Sequence, residues 1–266
     1  MKTLYFECNM GAAGDMLMAA LLELHYDPKD FLERLNNIGI PGVCISSEPS
    51  TKCGIIGTHV KVQVNGHEEE IDNQDDDHEE YHHHHNHEHE DHHNHHDHNN
   101  IEAIQHLIDH LNVSDSVKKD ALKVYELIAE AEGRVHGVPV SQIHFHEVGT
   151  MDAVADIVGV CMLIEEFAPC MILSSPINVG SGHVHCAHGI LPVPAPATAY
   201  ILHDVPIYNN HINGELCTPT GAALLKHFVN KFSTMPVMTV KKIGYGMGKK
   251  DFDMVNCVRV YLADIE

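Results

Sequence analysis

The sequence predicts an α+β protein, with mixed sheets and helices interrupted by a disordered histidine-rich insertion. Stretches that alternate apolar and polar residues, such as 57–64, are interspersed with stretches of helical period, such as 151–167, without a strict strand–helix–strand repeat. Residues 67–98 hold 13 His and 13 Asp or Glu, no Lys or Arg, and no core-forming period. The other 234 residues carry 25 acids against 16 bases, so the body is only mildly acidic although the whole chain has a formal charge of −22. That body has enough Leu, Ile, Val, Ala and Met to bury a sizeable core. The expected organisation is a first part of an α/β body over residues 1–66, the His/Asp/Glu-rich insertion over 67–100, and the rest of the body over 101–266.

Residues 3–8 read as a strand, and the small residues 9–15 form a glycine turn into a helix over 16–24. A strand follows at 57–64, and after the insertion come helices at 101–112 and 114–136, the second opened by Ser114 as N-cap with Asp115 in its first turn. A short strand is expected at 143–146 and a helix at 151–167. Strand-like runs then occupy 171–173, 177–179 and 183–185, ahead of a proline-rich connection and a helix through 198–203. Thr218-Pro219 has the form of an N-cap with proline in the first turn, opening a helix to Phe232. Strands at 237–243 and 257–262, with a glycine-rich loop at 244–250 between them, close the chain.

The composition excludes several function classes. An acidic body argues against a nucleic-acid partner, because phosphate neutralisation needs a basic face. A membrane span is not expected, because Asp152 and Asp156 interrupt the most apolar helical run and Pro192, Pro194 and Pro196 break the stretch 191–202. Glu7 and Asp15 stand where a signal peptide would need an unbroken apolar segment, so a cytoplasmic location is expected. Eight scattered cysteines without a CxxC read as buried reduced thiols and argue against a thiolate zinc site.

Metal chemistry is the positive signal. His82, His83, His84, His85, His87, His89, His92, His93, His95, His96 and His98 put many imidazoles on a polar chain. Imidazole suits Ni(II), Cu(II) and Zn(II), and so many interchangeable geometries suit buffering or delivery of metal rather than catalysis. A merely solubilising loop is the alternative. The second candidate is His144-Phe145-His146-Glu147: on a strand His144 and His146 point to one face, and Asp152 and Asp156, four apart on the following helix, share a face turned toward them. Third, His183 and His185 share a strand face, His188 follows on a turn, and Gly180 and Gly182 would let a ligand approach the main chain. Gly11, Gly14 and Asp15 at the first glycine turn, and Lys249 beside Gly244, Gly246 and Gly248, are candidate phosphate contacts. Satisfied polar residues and plain tight turns remain the alternative for each cluster.

The segments GAAGDM (11–16), HFHEVGTMDAVADIVG (144–159), SPINVGSGHVHCAHGILPVPAPAT (175–198), GELCTPTGAALL (214–225) and GYGMGKKDFD (244–253) occur in order, and with them the chain resembles the LarC family of nickel insertion proteins. The resemblance implies transfer of Ni(II) into a pincer nucleotide precursor, pyridinium-3,5-bisthiocarboxylic acid mononucleotide. Two nickel–sulfur bonds and one nickel–carbon bond form, and CTP is hydrolysed to CMP and pyrophosphate with Mn(II) or Mg(II). It also implies a C-terminal segment that binds CTP beyond Glu266, so this chain alone is expected to be incomplete, as a frameshift product or a truncation. Lactate racemase as recipient of the product and a homo-oligomer complete the implied partners. Within that reading His144, His146 and Glu147 are expected to hold nickel, Asp152 or Asp156 to orient the imidazoles, and a neighbouring His or carboxylate to take the substrate proton. A non-catalytic nickel store and a metal-dependent hydrolase are the rival functions.

Overall fold

The structure is a computed structural model that describes residues 1–68, 100–145, 148–186 and 189–265. The chain opens with β1 (Lys2–Glu7), α1 (Gly14–Leu24), α2 (Pro28–Asn36), β2 (Val43–Lys52), β3 (Ile55–Val64) and β4 (His67–Glu68). Next come α3 (Ile101–His110), α4 (Asp115–His136), a 3-10 turn (Val140–Gln142) and α5 (Met151–Phe167). Short strands β5 (Met171–Ser174), β6 (Ile177–Asn178), β7 (Gly180–Ser181), β8 (His183–Cys186) and β9 (Gly189–Pro192) precede α6 (Pro196–Ile201). The last third holds β10 (Ile207–Tyr208), β11 (Gly214–Glu215), α7 (Pro219–Phe228), β12 (Lys231–Phe232), β13 (Thr239–Met247) and β14 (Cys257–Asp264).

One mixed sheet runs β12-β5-β1-β14-β13-β3-β2, with β4 on β3. β1, β5 and β12 are parallel neighbours, whereas β14 joins β1 and β13 antiparallel. This is the α+β arrangement that the patterning predicted. Along β1 the pleat sends Leu4 and Phe6 into the main core under the helices and Tyr5 to the opposite face, where it packs with Leu173 and Tyr261. Among the described residues no helix is long and apolar enough to cross a membrane. Cys8, Cys161 and Cys217 are buried, whereas Cys44, Cys53 and Cys170 are exposed, so the expectation of buried thiols holds for only part of the set.

Helix boundaries follow their caps. The Ser114 hydroxyl accepts from the Val117 N–H at 3.1 Å, as expected, and α4 ends at left-handed Gly137. Thr218 caps α7 through the Gly221 N–H at 3.2 Å, but the helix stops at Phe228, four residues short of the predicted end. There Asn230 exchanges two 2.8 Å hydrogen bonds with Ile172 and turns the chain into β12, so sheet pairing overrides the helical pattern. Of the strand expected at 143–146, the described residues 143–145 form a single bridge, between Asn100 and His144. His67 and Glu68, expected in the insertion, extend the sheet as β4, and Asn100 caps α3 through the Ala103 N–H at 2.8 Å.

The glycine-rich stretch 244–250 is not the loop expected. Gly244 and Gly246 lie inside β13 and face α1, which rests on the strand backbone to backbone. A Cβ on Gly246 would stand 1.9 Å from the Met16 carbonyl oxygen, and one on Gly244 2.0 Å from that of Ala20. Their job is helix-on-sheet contact, not phosphate binding. Gly159 in α5 is a graded comparison, because its missing Cβ faces the Met18 Sδ at 2.5 Å, a side chain that can rotate away. Gly246→Ala is therefore expected to cost about 3 kcal/mol or to prevent folding, and Gly159→Ala at most about 1 kcal/mol. Urea midpoints measure both, and equal losses would show that the α1 seat is not rigid.

Candidate functional site

Three helix N-termini open on one cleft of about 530 Å³, lined by Ala13 to Met16 from α1, Asp152, Ala153 and Asp156 from α5, and Thr218 to Thr220 from α7. Gly248, Lys249 and Lys250 close it from the end of β13, and His185 and Cys186 from β8. The chain brings these ends together by direct backbone ties. The Ala12 N–H donates to the Leu216 carbonyl at 3.0 Å, and the Ala12 carbonyl accepts from the Thr218 N–H at 3.0 Å, which sets the starts of α1 and α7 side by side. α5 is brought in by Gly14, whose missing Cβ would lie 2.7 Å from both Cβ and Oδ2 of Asp156. Only glycine there admits that carboxylate.

Asp15, Asp152 and Asp156 thus converge where the partial positive ends of α1 and α5 partly offset their charge. Burial holds the Asp15 carboxyl above its usual range, against the pull of His59, the Met16 N–H and Lys249. Asp156 is pushed well above the usual carboxylate range, first by burial and then by the charges of Asp15 and Asp152, with Lys249 and the Asp15 N–H opposing. Its Oδ1 is buried without a hydrogen-bond partner among the described residues. A carboxyl kept basic in this way is suited to accept a proton.

The opposite rim is a charged strap. Glu68 Oε1 lies 3.2 Å from Lys249 Nζ and 3.7 Å from His59 Nε2. Buried Lys52 pairs with Asp251 and donates to the Lys249 and Lys250 carbonyls, each at 3.1 Å, so it fixes the loop that carries the two cleft lysines. Lys52 was not legible as a site residue, since it ends a strand in which Ile45 is the only other buried residue. Tyr125 was missed as well. It sits in α4 on a core face against Phe145, with ring centroids 6.0 Å apart, but its fully buried hydroxyl has no hydrogen-bond partner among the described residues. Burial and the charges of Asp152 and Asp156 push that phenol well above its usual value.

The structure separates the expected constellations. Asp152 and Asp156 do share a face and do reach the cleft, with Gly14, Asp15 and Lys249. His144 is exposed beside Asn100 and does not line the cleft, while Phe145 is buried. His146, Glu147, His188 and the tract histidines from His82 to His98 lie outside the described residues. His183 and His185 are both exposed on β8, and only His185 opens on the cleft. Gly11, Gly180 and Gly182 leave no opening for a ligand: their missing Cβ positions lie about 2 Å from Leu216, Gly214 and Asn213 respectively, so close chain packing fills the space. Among the described residues no three His, Cys, Asp or Glu side chains are grouped to hold a metal ion.

Two stability measurements test this electrostatic picture. The raised pKa of Asp156 means that the folded state holds the proton to a higher pH than the unfolded chain does. Ionised Asp156 therefore costs stability at pH 7, and that cost is absent below the unfolded value of about 3.9. Asp156→Asn is expected to raise the thermal midpoint at pH 7 by about 2–4 °C, the equivalent of roughly 1 kcal/mol in a body of this size, and to lose the gain on acidification to about pH 3.5. An equal gain at both pH values would refute the assignment. Tyr125→Phe removes a hydroxyl without a protein partner and is expected to leave the midpoint unchanged or slightly higher, whereas a loss above about 1 kcal/mol would reveal a bound partner.

The description "Nickel insertion protein" belongs to the family whose sequence profile matches residues 4–266. A pyridinium-3,5-bisthiocarboxylic acid mononucleotide nickel insertion protein of Clostridium acetobutylicum is 42% identical over 272 aligned residues, covering 100% of this chain and 65% of its own length. The protein of that name from Clostridium kluyveri is 39% identical over 269 residues, again across 100% of this chain and 63% of its own. One from Staphylococcus epidermidis is 36% identical over 267 residues, with 60% of its length covered. The chain thus spans about three-fifths of the length of the curated relatives it matches. No solved structure matches it. With a family profile running through nearly the whole chain, this protein belongs to the nickel insertion protein family.

Proposed function

We propose that this chain is the part of a nickel chelatase that holds the pincer nucleotide precursor, pyridinium-3,5-bisthiocarboxylic acid mononucleotide, while Ni(II) is inserted. The observation that carries the reading is the convergence of Asp15, Asp152 and Asp156 with Lys249 and three helix N-termini on one cleft. Insertion breaks a carbon–hydrogen bond of the ring, sends the proton to a base, and uses the electron pair left on carbon for the nickel–carbon bond, while both thiocarboxylate sulfurs coordinate the metal. Asp156, kept basic by burial and like charge, is the proton acceptor in this reading. Lys249 and the N–H groups at the starts of α1 and α7 face the phosphate. His185 presents nickel from β8, a role expected of His144, because His185 opens on the cleft and His144 does not.

The histidine tract leaves the body at Glu68, whose carboxylate meets Lys249 at the rim of this cleft. That placement supports a delivery role, with His82–His98 loading Ni(II) and the body performing the chemistry. CTP with Mn(II) or Mg(II) belongs, in this proposal, to the C-terminal part that the longer relatives possess. Completed in that way the enzyme falls in the lyase class, works in the cytoplasm as a homo-oligomer, and supplies lactate racemase with cofactor.

The test is incubation with the bis-thiocarboxylate nucleotide, Ni(II) and CTP, with and without the C-terminal part of a relative added in trans, followed by mass spectrometry of the nucleotide. Nickel-bearing product is expected only with both parts present. Asp156→Asn should lower its rate by about 10²–10⁴-fold, as loss of a general base does. Lys249→Ala should act mainly on KM. Calorimetry on the chain lacking residues 67–98 should lose several nickel equivalents, and the tract's binding should weaken as pH falls through about 6.5, because neutral imidazole is the ligand. Product formed at the wild-type rate by Asp156→Asn would overturn the role given to Asp156.

A further inference from the structure

Helix α3 buries one stripe, Ile104 and Ile108, and turns the opposite stripe, Glu102, His106 and His110, to solvent. Neither the sequence motifs nor the activity proposed above makes use of these two histidines. Residues four apart on a helix have Cβ atoms about 5–6 Å from one another. The two imidazole rings lie closer than that, with centroids 4.2 Å apart and planes inclined by 33°, so both side chains lean together over the end of the helix. The backbone beneath them is well anchored: Ile104 and Ile108 are 1% and 0% exposed, and the Asn100 side chain caps the start through the Ala103 N–H.

The His110 Nδ1 lies 2.7 Å from the His106 carbonyl oxygen. A carbonyl only accepts, so Nδ1 is the nitrogen that carries the hydrogen, and the neutral ring keeps its lone pair on Nε2. Metal-binding histidines are oriented in the same way, one ring nitrogen donating to a carbonyl while the other meets the ion. Two imidazole nitrogens that each stand about 2.0–2.1 Å from one ion are about 3 Å apart, a spacing that these rings reach by side-chain rotation alone. The helix adds its field, because the negative pole at the C-terminus of α3 favours a cation. Lys118 of α4 already uses that pole, donating to the Asp109 carbonyl at 2.8 Å. We propose that His106 and His110 form a bidentate surface site for an imidazole-preferring divalent cation, Ni(II), Cu(II) or Zn(II), separate from the cleft, which neither histidine lines. Two protein ligands leave the rest of the coordination shell to water, so the ion is held reversibly. His98, the last histidine of the tract, stands shortly before α3 in sequence, and the pair offers one fixed geometry where the tract offers many. The site does not depend on the insertion chemistry proposed for the cleft.

Amide hydrogen exchange of the full 266-residue chain, resolved by peptide mass spectrometry, tests the site without substrate or nucleotide. An ion that clamps His106 to His110 binds α3 only while its last turn is formed, so it slows exchange there by the factor 1 + [ion]/Kd. At about 100 µM free Zn(II), peptides covering the last turn of α3 are expected to exchange at least about threefold more slowly, which corresponds to a Kd of about 50 µM or tighter. Ni(II) should act likewise, and Mg(II), which prefers oxygen ligands, should have no effect. His106→Gln and His110→Gln each remove one ligand from an exposed position while keeping a good helix former, and each should abolish the slowing. Circular dichroism checks that both variants are folded. Unchanged exchange of α3 in the wild-type chain with Zn(II) overturns the proposal. So does slowing that persists in both variants, which would assign the effect to ions held by the tract, and so does equal slowing by Mg(II).

Discussion

The seat of α1 on β13 is the contact on which the rest of the site depends. Side chains normally space a helix from the sheet it covers, but Gly244 and Gly246 remove that spacer and let the Met16 and Ala20 carbonyls approach the strand backbone. The helix start is thereby held low against the sheet, level with Gly248 and Lys249 where β13 ends. Gly14 repeats the device on the other side of α1, admitting the Asp156 carboxylate of α5. Three glycines on two neighbouring elements thus decide where Asp15, Asp156 and Lys249 meet.

That placement has an electrostatic consequence. Asp15 and Asp156 both hold their protons more tightly than ordinary carboxylates, for the same first reason, burial, and Asp156 also feels Asp15 and Asp152. Helix N-termini and Lys249 lessen the repulsion without removing it. Folding alone gives no reason to gather these groups. The aliphatic core of Leu, Ile and Val beneath them is where the stability resides, and the cleft draws on it, as polar sites held on rigid elements generally do.

Much of the architecture was legible because it rests on local rules. Ser114 and Thr218 announced their helices, the i,i+4 spacing of Asp152 and Asp156 placed both on one face, and the alternation of 57–64 gave a strand. The misses have a common cause, which is that the deciding contact is distant in sequence. β2 is an edge strand whose only buried residues are Ile45 and Lys52, so it has no alternation to read. α2 carried a legible start in Asp27-Pro28 and a Phe31/Leu35 stripe, but its polar composition hid it. The glycines of β13 left a phosphate cradle and a plain glycine-rich hairpin both open, because the partner that decides, α1, is more than 200 residues away. Tyr125 is core by packing. Only the approach of α5 sets its hydroxyl in the field of Asp152 and Asp156.

A chelatase must bind its metal firmly enough to collect it and loosely enough to surrender it, and on the proposed reading the two demands fall on different parts of the chain. The tract offers many imidazoles in interchangeable geometries, which raises capacity without fixing one deep site. The described part of the cleft groups no three donor side chains for a metal ion, and Asp15 and Asp156 are hard oxygen donors whose hold on a proton burial strengthens. What the cleft offers instead is position and a base. On that reading the substrate supplies the ligands that make the transfer favourable, and the ring proton that must leave for the nickel–carbon bond to form goes to Asp156, whose hold on a proton burial and its acidic neighbours strengthen.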